Sequence, residues 1–342
     1  MHIIHVNLAK GFRGGERQTA LLIQALAGHV TSQTLVCRRD SPLHDELKGV
    51  DALIWVDANH QLAGHTQAGQ ASVVHAHEAK AVHWAWLHKR LYRTPYVVTR
   101  RVDTLIKRKW TNRQFYADAD CCVAISSIIQ KQLACWSRHD IPIIPSASSN
   151  FTANSQVSLQ FRARYPGRFI VGHIGALVDR HKGQRVILEA ASQLQHRYPE
   201  VLFVFFGQGE DEHALRQESQ HLANVEWAGF KPNIGDFIPA LDLFVFPSRN
   251  EGLGSVLLDV MQAKVPIIAS RVGGIPDLIK HNDTGMLIEA NDANALSEAI
   301  EGMVERDDHR TTLAENAYQR LAAFSPQTMA QRYHEVYQSL AQ

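Results

Sequence analysis

Residues 241–279 read LDLFVFPSRNEGLGSVLLDVMQAKVPIIASRVGGIPDLI, and the order of residue types in this stretch decides the fold. Leu243–Phe246 is a short apolar run of strand type, Glu251 to Ser255 a glycine-rich turn, Val256–Ala263 a helix and Pro266–Ala269 a second strand, after which Gly273-Gly274 turns the chain. A strand led through a glycine turn into a helix leaves the first helical N–H groups without carbonyl partners, at the C-terminal edge of the sheet. Those amides and the helix dipole form an anion cradle. Gly252 and Gly254 let the backbone approach a ligand closely.

Two carboxylates flank this cradle. Glu251 precedes the helix and Asp259 lies about one turn inside it, so they border one pocket and stand at most ~12 Å apart along the helical rise. Ionised carboxylates accept hydrogen bonds from sugar and ribose hydroxyls, so this arrangement suits a ligand with hydroxyls on either side of a diphosphate. A nucleotide sugar is such a ligand.

Outward from this stretch the same alternation recurs. Apolar β-type runs at His2–Asn7, Thr34–Cys37, Leu53–Val56, Ser72–His75, Tyr96–Thr99 and Cys121–Ile125 are separated by helical-period segments, the clearest being Arg17–Ala27. The pattern pauses at Ile141–Gln156, rich in Pro, Ser and Asn, and resumes with Phe169–Ile174 and Leu202–Phe206. Alternating strands and helices predict parallel sheets covered on both faces, hence an α/β fold. We expect a first domain over residues 1–149, a linker, a second domain over 150–325, and a C-terminal helix over 326–342 that packs back towards the first. No repeat of 20–50 residues is present, which excludes a solenoid.

Composition agrees with two ordinary globular domains. The chain has 342 residues, 45% of them hydrophobic and 20% charged, with a formal net charge of +1 that calls for no polyanionic partner. Two domains of ~150 residues each imply a cleft. Cys37, Cys121, Cys122 and Cys135 lack the paired spacing of a zinc site and are expected to be reduced thiols, mostly buried. The start, MHIIHVNLAKGFRGGE, has no basic n-region or cleavage site, and nowhere do 18 apolar residues run together. A cytoplasmic protein, peripheral to the inner face of a membrane at most, is the expectation.

The 241–279 stretch resembles the signature of the retaining family 4 glycosyltransferases with the GT-B fold, two Rossmann-like domains facing each other across a cleft. Their pattern sets a Glu, seven residues and a second Glu; here Glu251 is followed by seven residues and Asp259. The continuation VGGIPDLIKHNDTGMLI is similar to the family at Gly273, Gly274, Pro276, Asp277 and Gly285. The resemblance implies that Glu251 and the amides of Gly252, Leu253, Gly254 and Ser255 face the donor sugar while Asp259 holds the ribose diol. Asp259 is one methylene shorter than the family's Glu, so it reaches the ribose from a closer helix or through a water. In GALVDRHKGQ, from Gly175 to Gln184, the resemblance implies that Lys182 contacts the donor diphosphate and stabilises its departure. Where the family often has an Arg directly after the first strand this chain has Ala176, which makes Arg180 the candidate for a second positive charge.

Gly14-Gly15-Glu16 resembles the family's Gly-Gly-x-Glu loop, placing Gly14 and Gly15 beside the donor, and Gly11, Gly14 and Gly15 do not fit the dinucleotide spacing G-x-G-x-x-G. VVHAHE resembles the family's H-x-H segment and puts His75 and His77 on one face of a strand. Spacing supplies no third ligand, so no metal is expected there. The next family segment is roughly Thr-x-His-Asp, with its His near the donor sugar, whereas here it is Thr99-Arg100-Arg101-Val102. Arg101 suits an anionic group and cannot shuttle protons. His77, Arg101 and Asp103 are the candidates for the acceptor or sugar side.

From Lys89 to Arg113 nine basic residues stand against one acid, Asp103, with Trp84, Trp86 and Trp110 in or beside them. That combination suits an anionic membrane surface or a phosphorylated lipid-linked acceptor, and by charge and aromatics also nucleic acid. The resemblance as a whole implies a retaining, metal-independent hexosyltransferase without a cofactor, using a nucleotide-diphosphate sugar (a UDP-sugar first) and a glycan or glycolipid acceptor of the cell envelope, lipopolysaccharide core first. Nucleic acid is not an expected partner. The alternatives are another GT-B activity, such as a sugar-nucleotide epimerase or a phosphorylase, and a non-catalytic sugar-nucleotide-binding protein.

Overall fold

The computed structural model describes residues 1–341. The chain divides into two compact units: Met1–Ser149 together with the segment that starts at Phe324, and Asn150–Ala323.

The first unit is built on a six-stranded sheet in the order β3-β2-β1-β4-β5-β6. Its strands are β1 (His2–Asn7), β2 (Ser32–Cys37), β3 (Leu53–Asp57), β4 (Val73–Ala76), β5 (Tyr96–Arg100) and β6 (Cys121–Ala124), all parallel. β1, β2 and β4 to β6 are buried along nearly their whole length, as a sheet covered on both faces requires. The helix Gly14–Leu26 and the final helix Pro326–Leu340 cover one face. Ser325 caps the final helix by accepting the Thr328 amide at 3.0 Å, and Pro326 occupies the first turn, where a missing N–H costs nothing. Met329, Ala330, Tyr333 and Tyr337 of that helix are buried against Ile3, Leu22, Val73 and Val97. The C-terminal helix is therefore part of the first unit's core.

The second unit repeats the plan with the order β12-β11-β10-β7-β8-β9. β7 (Phe169–Ile174), β8 (Val201–Phe206), β9 (Val225–Trp227), β10 (Leu243–Phe246), β11 (Ile267–Ser270) and β12 (Met286–Ile288) are parallel. The helix Gln184–Leu194 buries Val186, Ile187, Ala190, Ala191 and Leu194 as one stripe in the same core as Ile300 and Met303 of the helix Ala293–Glu305.

Three details differ from the sequence-based expectation. β9 and β12 are edge strands of three residues each, too short to show a period. Ile143 bridges to Ala124 beside β6, so the start of the Pro- and Ser-rich stretch still belongs to the first unit. The crossing is narrower, at Ser149 and Asn150, and Asn154 already caps the helix Ser155–Arg162.

Strand order fixes where side chains can meet a ligand. In each sheet the order reverses beside the first strand of the unit: between β1 and β4, and between β7 and β10. Loops leaving the C-terminal ends of two such strands run in opposite directions and open a crevice between them.

Candidate active site

In the second unit, Lys182 follows β7 and Glu251 follows β10, the two strands flanking the reversal. Their side chains meet in an ion pair, Lys182 Nζ to Glu251 Oε1, and Ser248 Oγ donates to the same oxygen at 3.2 Å. Lys182 also stands 5.1 Å from the centroid of the Phe246 ring. An ammonium has three donors, so the pair leaves N–H groups for another acceptor.

Glycines hold this corner together. Gly183, at φ +68°, ends the turn Asp179–Lys182, and a Cβ there would lie 2.2 Å from the Pro247 carbonyl oxygen. Gly273, at φ +55°, packs so closely that a Cβ would lie 1.8 Å from the Glu251 carbonyl oxygen, which accepts the Gly274 amide at 3.1 Å. The Gly-Gly turn therefore buttresses the Glu251 backbone. The amides of Leu257 and Leu258 are taken by Gly254 and Ser255, whereas those of Gly252, Leu253, Gly254 and Ser255 donate to no backbone carbonyl among the described residues. The helix Val256–Gln262 buries Leu257, Leu258, Val260 and Met261 and leaves Val256 and Asp259 half-buried on its other side.

Arg180 is placed differently from expectation. Its side chain is 69% exposed and pairs with Glu210 at 3.1 Å, with Nε donating to His181 at 3.2 Å, so it is not joined to the Lys182–Glu251 pair. The cation that is built into this corner is Arg249, two residues before Glu251. It pairs with the Asp179 carboxylate at 3.0 Å and donates to the Asp179 carbonyl, while the Asp179 carboxylate also accepts the Arg185 amide at 2.8 Å. Burial pushes the Asp179 carboxyl up, but the hydrogen bonds from Arg185 and Arg249 prevail and hold it below the usual carboxylate range. Beneath Lys182, buried His173 is pushed down to about 4 by desolvation and donates or accepts only within the fold, with Nδ1 3.0 Å from the Val245 carbonyl oxygen.

In the first unit, Gly14 and Gly15 open the helix after β1, His77 follows β4 and Arg101 follows β5. Glu16 accepts the Arg13 amide at 2.9 Å and so satisfies the N–H at the start of the helix. Gly15 faces Arg101, whose Cδ would lie 3.8 Å from a Cβ at that position. A third imidazole, invisible to spacing along one strand, joins His75 and His77: His5 of β1 stands opposite His75 in the sheet. The three offer ring nitrogens within 4.8 Å of one another.

Five of their six ring nitrogens are already committed. Gln33 donates to the Ile23 carbonyl at 3.0 Å, so its Oε1 accepts from His5 Nε2 at 3.0 Å, and His5 Nδ1 in turn accepts from His77 Nε2 at 3.0 Å. His75 binds the Tyr337 hydroxyl at 2.6 Å and Thr99 Oγ1 at 2.7 Å, and Thr99 meets the Tyr333 hydroxyl at 2.8 Å. Burial lowers His5 to about 4 and His75 and His77 well below their ordinary value, and the nearby Arg101 charge adds to the effect on His75 and His77. A cation would have to break this chain and sit beside a guanidinium. The group is better described as a neutral hydrogen-bond relay.

Four orphaned atoms mark its end. His77 Nδ1, left with a lone pair by the tautomers above, has no partner, and all three Arg101 nitrogens are buried without one. Desolvation lowers the Arg101 pKa against the opposing pull of Tyr333 and Glu16. Asp103 is half-buried on the following loop, where its carbonyl accepts from Gln132 at 2.6 Å. Glu78, which the sequence reading passed over, accepts the amides of Leu8, Lys80 and Ala81 at 3.2, 2.6 and 2.8 Å and so ties the end of β1 to the helix Ala79–Tyr92.

Comparison with known proteins is consistent with this geometry. Residues 157–320 match the family model described as glycosyl transferases group 1, and residues 13–145 match the glycosyl transferase 4-like domain. The lipopolysaccharide core biosynthesis glycosyltransferase LpsE of Rhizobium meliloti is 28% identical over 232 residues, covering 65% of each chain. A D-inositol 3-phosphate glycosyltransferase of Corynebacterium urealyticum is 30% identical over 183 residues, covering 50% of this chain and 43% of the relative. The matched stretches thus span less than two thirds of these relatives. Among solved structures, HepE of Anabaena in complex with UDP and glucose superposes with a TM-score of 0.84 at 20% identity, covering 99% of this chain and 100% of the other. With both family models matched in sequence and both Rossmann-like sheets present, the chain belongs to the family 4 glycosyltransferases of the GT-B fold.

Proposed function

We propose that the protein is a retaining, metal-independent glycosyltransferase that moves a hexose-type sugar from a nucleotide-diphosphate donor, a UDP-sugar first, to a glycan or glycolipid acceptor of the cell envelope, lipopolysaccharide core first. The observation that carries this reading is the Lys182–Glu251 pair at the strand-order reversal of the second unit, beside the turn amides of Gly252 to Ser255, which donate to no backbone carbonyl among the described residues. The names of LpsE and of the UDP-bound HepE support the acceptor class and the donor base respectively.

In this reading the donor lies on the second unit. Its diphosphate takes the remaining N–H groups of Lys182 and the turn amides, Asp259 holds the ribose diol, and Glu251 orients both Lys182 and the sugar hydroxyls. Arg180, exposed beside Glu210, reaches the diphosphate only if that surface pair opens. The acceptor hydroxyl attacks the anomeric carbon on the face the diphosphate leaves. Its oxygen bonds to that carbon as the carbon–phosphate oxygen bond breaks, and its proton passes to an oxygen of the departing diphosphate. The protein supplies positioning and charge stabilisation. His77, Arg101 and Asp103 face the sugar or acceptor side, with the protein working at the cytoplasmic face of the membrane.

The test is transfer from UDP-, GDP- and ADP-sugars to core oligosaccharide with chelator present, with the product's anomeric configuration read by NMR. An inverted product or a requirement for divalent metal contradicts the mechanism. Failure of every donor contradicts the reaction.

A further inference from the structure

Of the basic residues between Lys89 and Arg113, the structure neutralises some and leaves others bare. Lys89 pairs with Asp120 at 2.7 Å and Arg90 with Asp118 at 2.7 Å, while Arg100 is buried and donates to Thr104 and Tyr116. Lys107, Arg108, Lys109 and Arg113 are exposed, and no ion pair forms with them among the described residues; Arg138, exposed on a neighbouring loop, is the same. Apolar side chains stand out of this patch. Leu105 is 82% exposed, Trp110 77% and Val102 51%. Beside Trp110 lies a cavity of about 380 Å³ lined by Trp110, Arg113, Trp136, Ser137 and Arg138.

The patch is held in shape. The Lys107 carbonyl accepts from the Asn112 side chain at 2.9 Å and the Lys109 amide at 2.7 Å, and Gln132 fixes the Asp103 carbonyl. Exposed aliphatic tips beside uncompensated cations gain nothing in water. At a bilayer they gain twice, because the apolar tips enter the interface while the cations meet lipid phosphates. A nucleic acid would answer the charge and Trp110 but gives Leu105 and Val102 no apolar partner.

We propose that residues 102–113 with Trp136 and Arg138 form a docking surface for an anionic lipid bilayer, with a lipid phosphate received between Arg113 and Arg138. Leu105 and Trp110 insert at the interface, and Lys107, Arg108 and Lys109 ring them. This deepens the function proposed above, on which it rests only in that a lipid-linked envelope acceptor is met at such a surface.

The full-length protein is sedimented with vesicles of phosphatidylglycerol mixed into phosphatidylcholine and with phosphatidylcholine alone, and tryptophan fluorescence is quenched with brominated lipid. Binding is expected only with the anionic vesicles, with loss at high salt. Arg113→Ala with Arg138→Ala should weaken it by roughly five-fold per charge, and Leu105→Ser should weaken it at unchanged charge. Absence of binding at low salt, or equal binding by these variants, overturns the proposal. So does a thermal shift with inorganic phosphate that depends on Arg113 and Arg138 when vesicles do not bind, or binding of a single-stranded oligonucleotide that is tighter and indifferent to Leu105→Ser. UDP binding measured on the same variants reports the fold and the donor site separately. Vesicle binding without UDP binding leaves the surface standing and removes the donor reading.

Discussion

The Lys182–Glu251 contact ties two residues 69 positions apart, and Lys182 and Asp259 on the two sides of the turn have distinct expected phenotypes. Lys182→Met should lower kcat by ~10²–10³-fold, the usual cost of removing one preorganised charge from a developing anion. Asp259→Ala should raise the donor KM by roughly ten-fold, the worth of a hydroxyl–carboxylate hydrogen bond, with a smaller effect on kcat. Equal losses in both parameters from both variants would contradict the division of roles. Arg101 is a different case, since a buried guanidinium without partners costs stability. Arg101→Met should leave the unfolding free energy unchanged or raise it, by ~1–3 kcal/mol at most, while transfer falls. A marked loss of stability would mean that Glu16 and Tyr333 hold Arg101 for the fold alone. The carboxylates, Lys182 and the glycines were legible because they sit within short motifs. Arg249 and His5 were not, because their importance depends on which loops and strands lie side by side.

Among the elements, the long buried strands announced themselves and the short ones did not. VLFVFF of β8 is buried at every position and reads as a covered strand, whereas β9 and β12 offer three residues each and pair only at the sheet edges. Strand order is likewise absent from local pattern, although it is what brings the loops after β7 and β10 to one place. The glycine turns carry a sharper test. Gly273→Ala would force a Cβ to within 1.8 Å of the Glu251 carbonyl oxygen at a left-handed backbone position, and Gly183→Ala would do the same at 2.2 Å against Pro247. Both should destabilise the second unit by ~1–3 kcal/mol, and Gly273→Ala should also abolish transfer by moving Glu251. Chemical denaturation with activity in its native baseline checks both outcomes. A folded, fully active Gly273→Ala enzyme would contradict the buttress.

Over the whole molecule, buried neutral histidines set the acid limit. His5, His88 and His173 are lowered from 6.5 to about 4 by burial, so between those values the unfolded chain binds protons that the folded chain refuses. Stability should be intact above pH 6.5 and fall below it, by ~1.4 kcal/mol per pH unit for each such histidine until about pH 4. Denaturant midpoints between pH 7.5 and 4.5 would show it, and a flat profile would contradict it. The final helix matters at this scale too. Removing Pro326–Leu340 strips Tyr333 and Tyr337 from the first unit's core and His75 of its hydroxyl partner, so the truncated chain should be insoluble or unfolded. The central claim, that the second unit binds a nucleotide diphosphate between Lys182 and the turn after Glu251, is tested most directly by titration calorimetry of UDP against the wild type, Lys182→Met and Asp259→Ala. The account predicts saturable binding by the wild type, weakened at least ten-fold in each variant. Equal affinity in all three proteins, or no binding of UDP, GDP or ADP by the wild type, would contradict it.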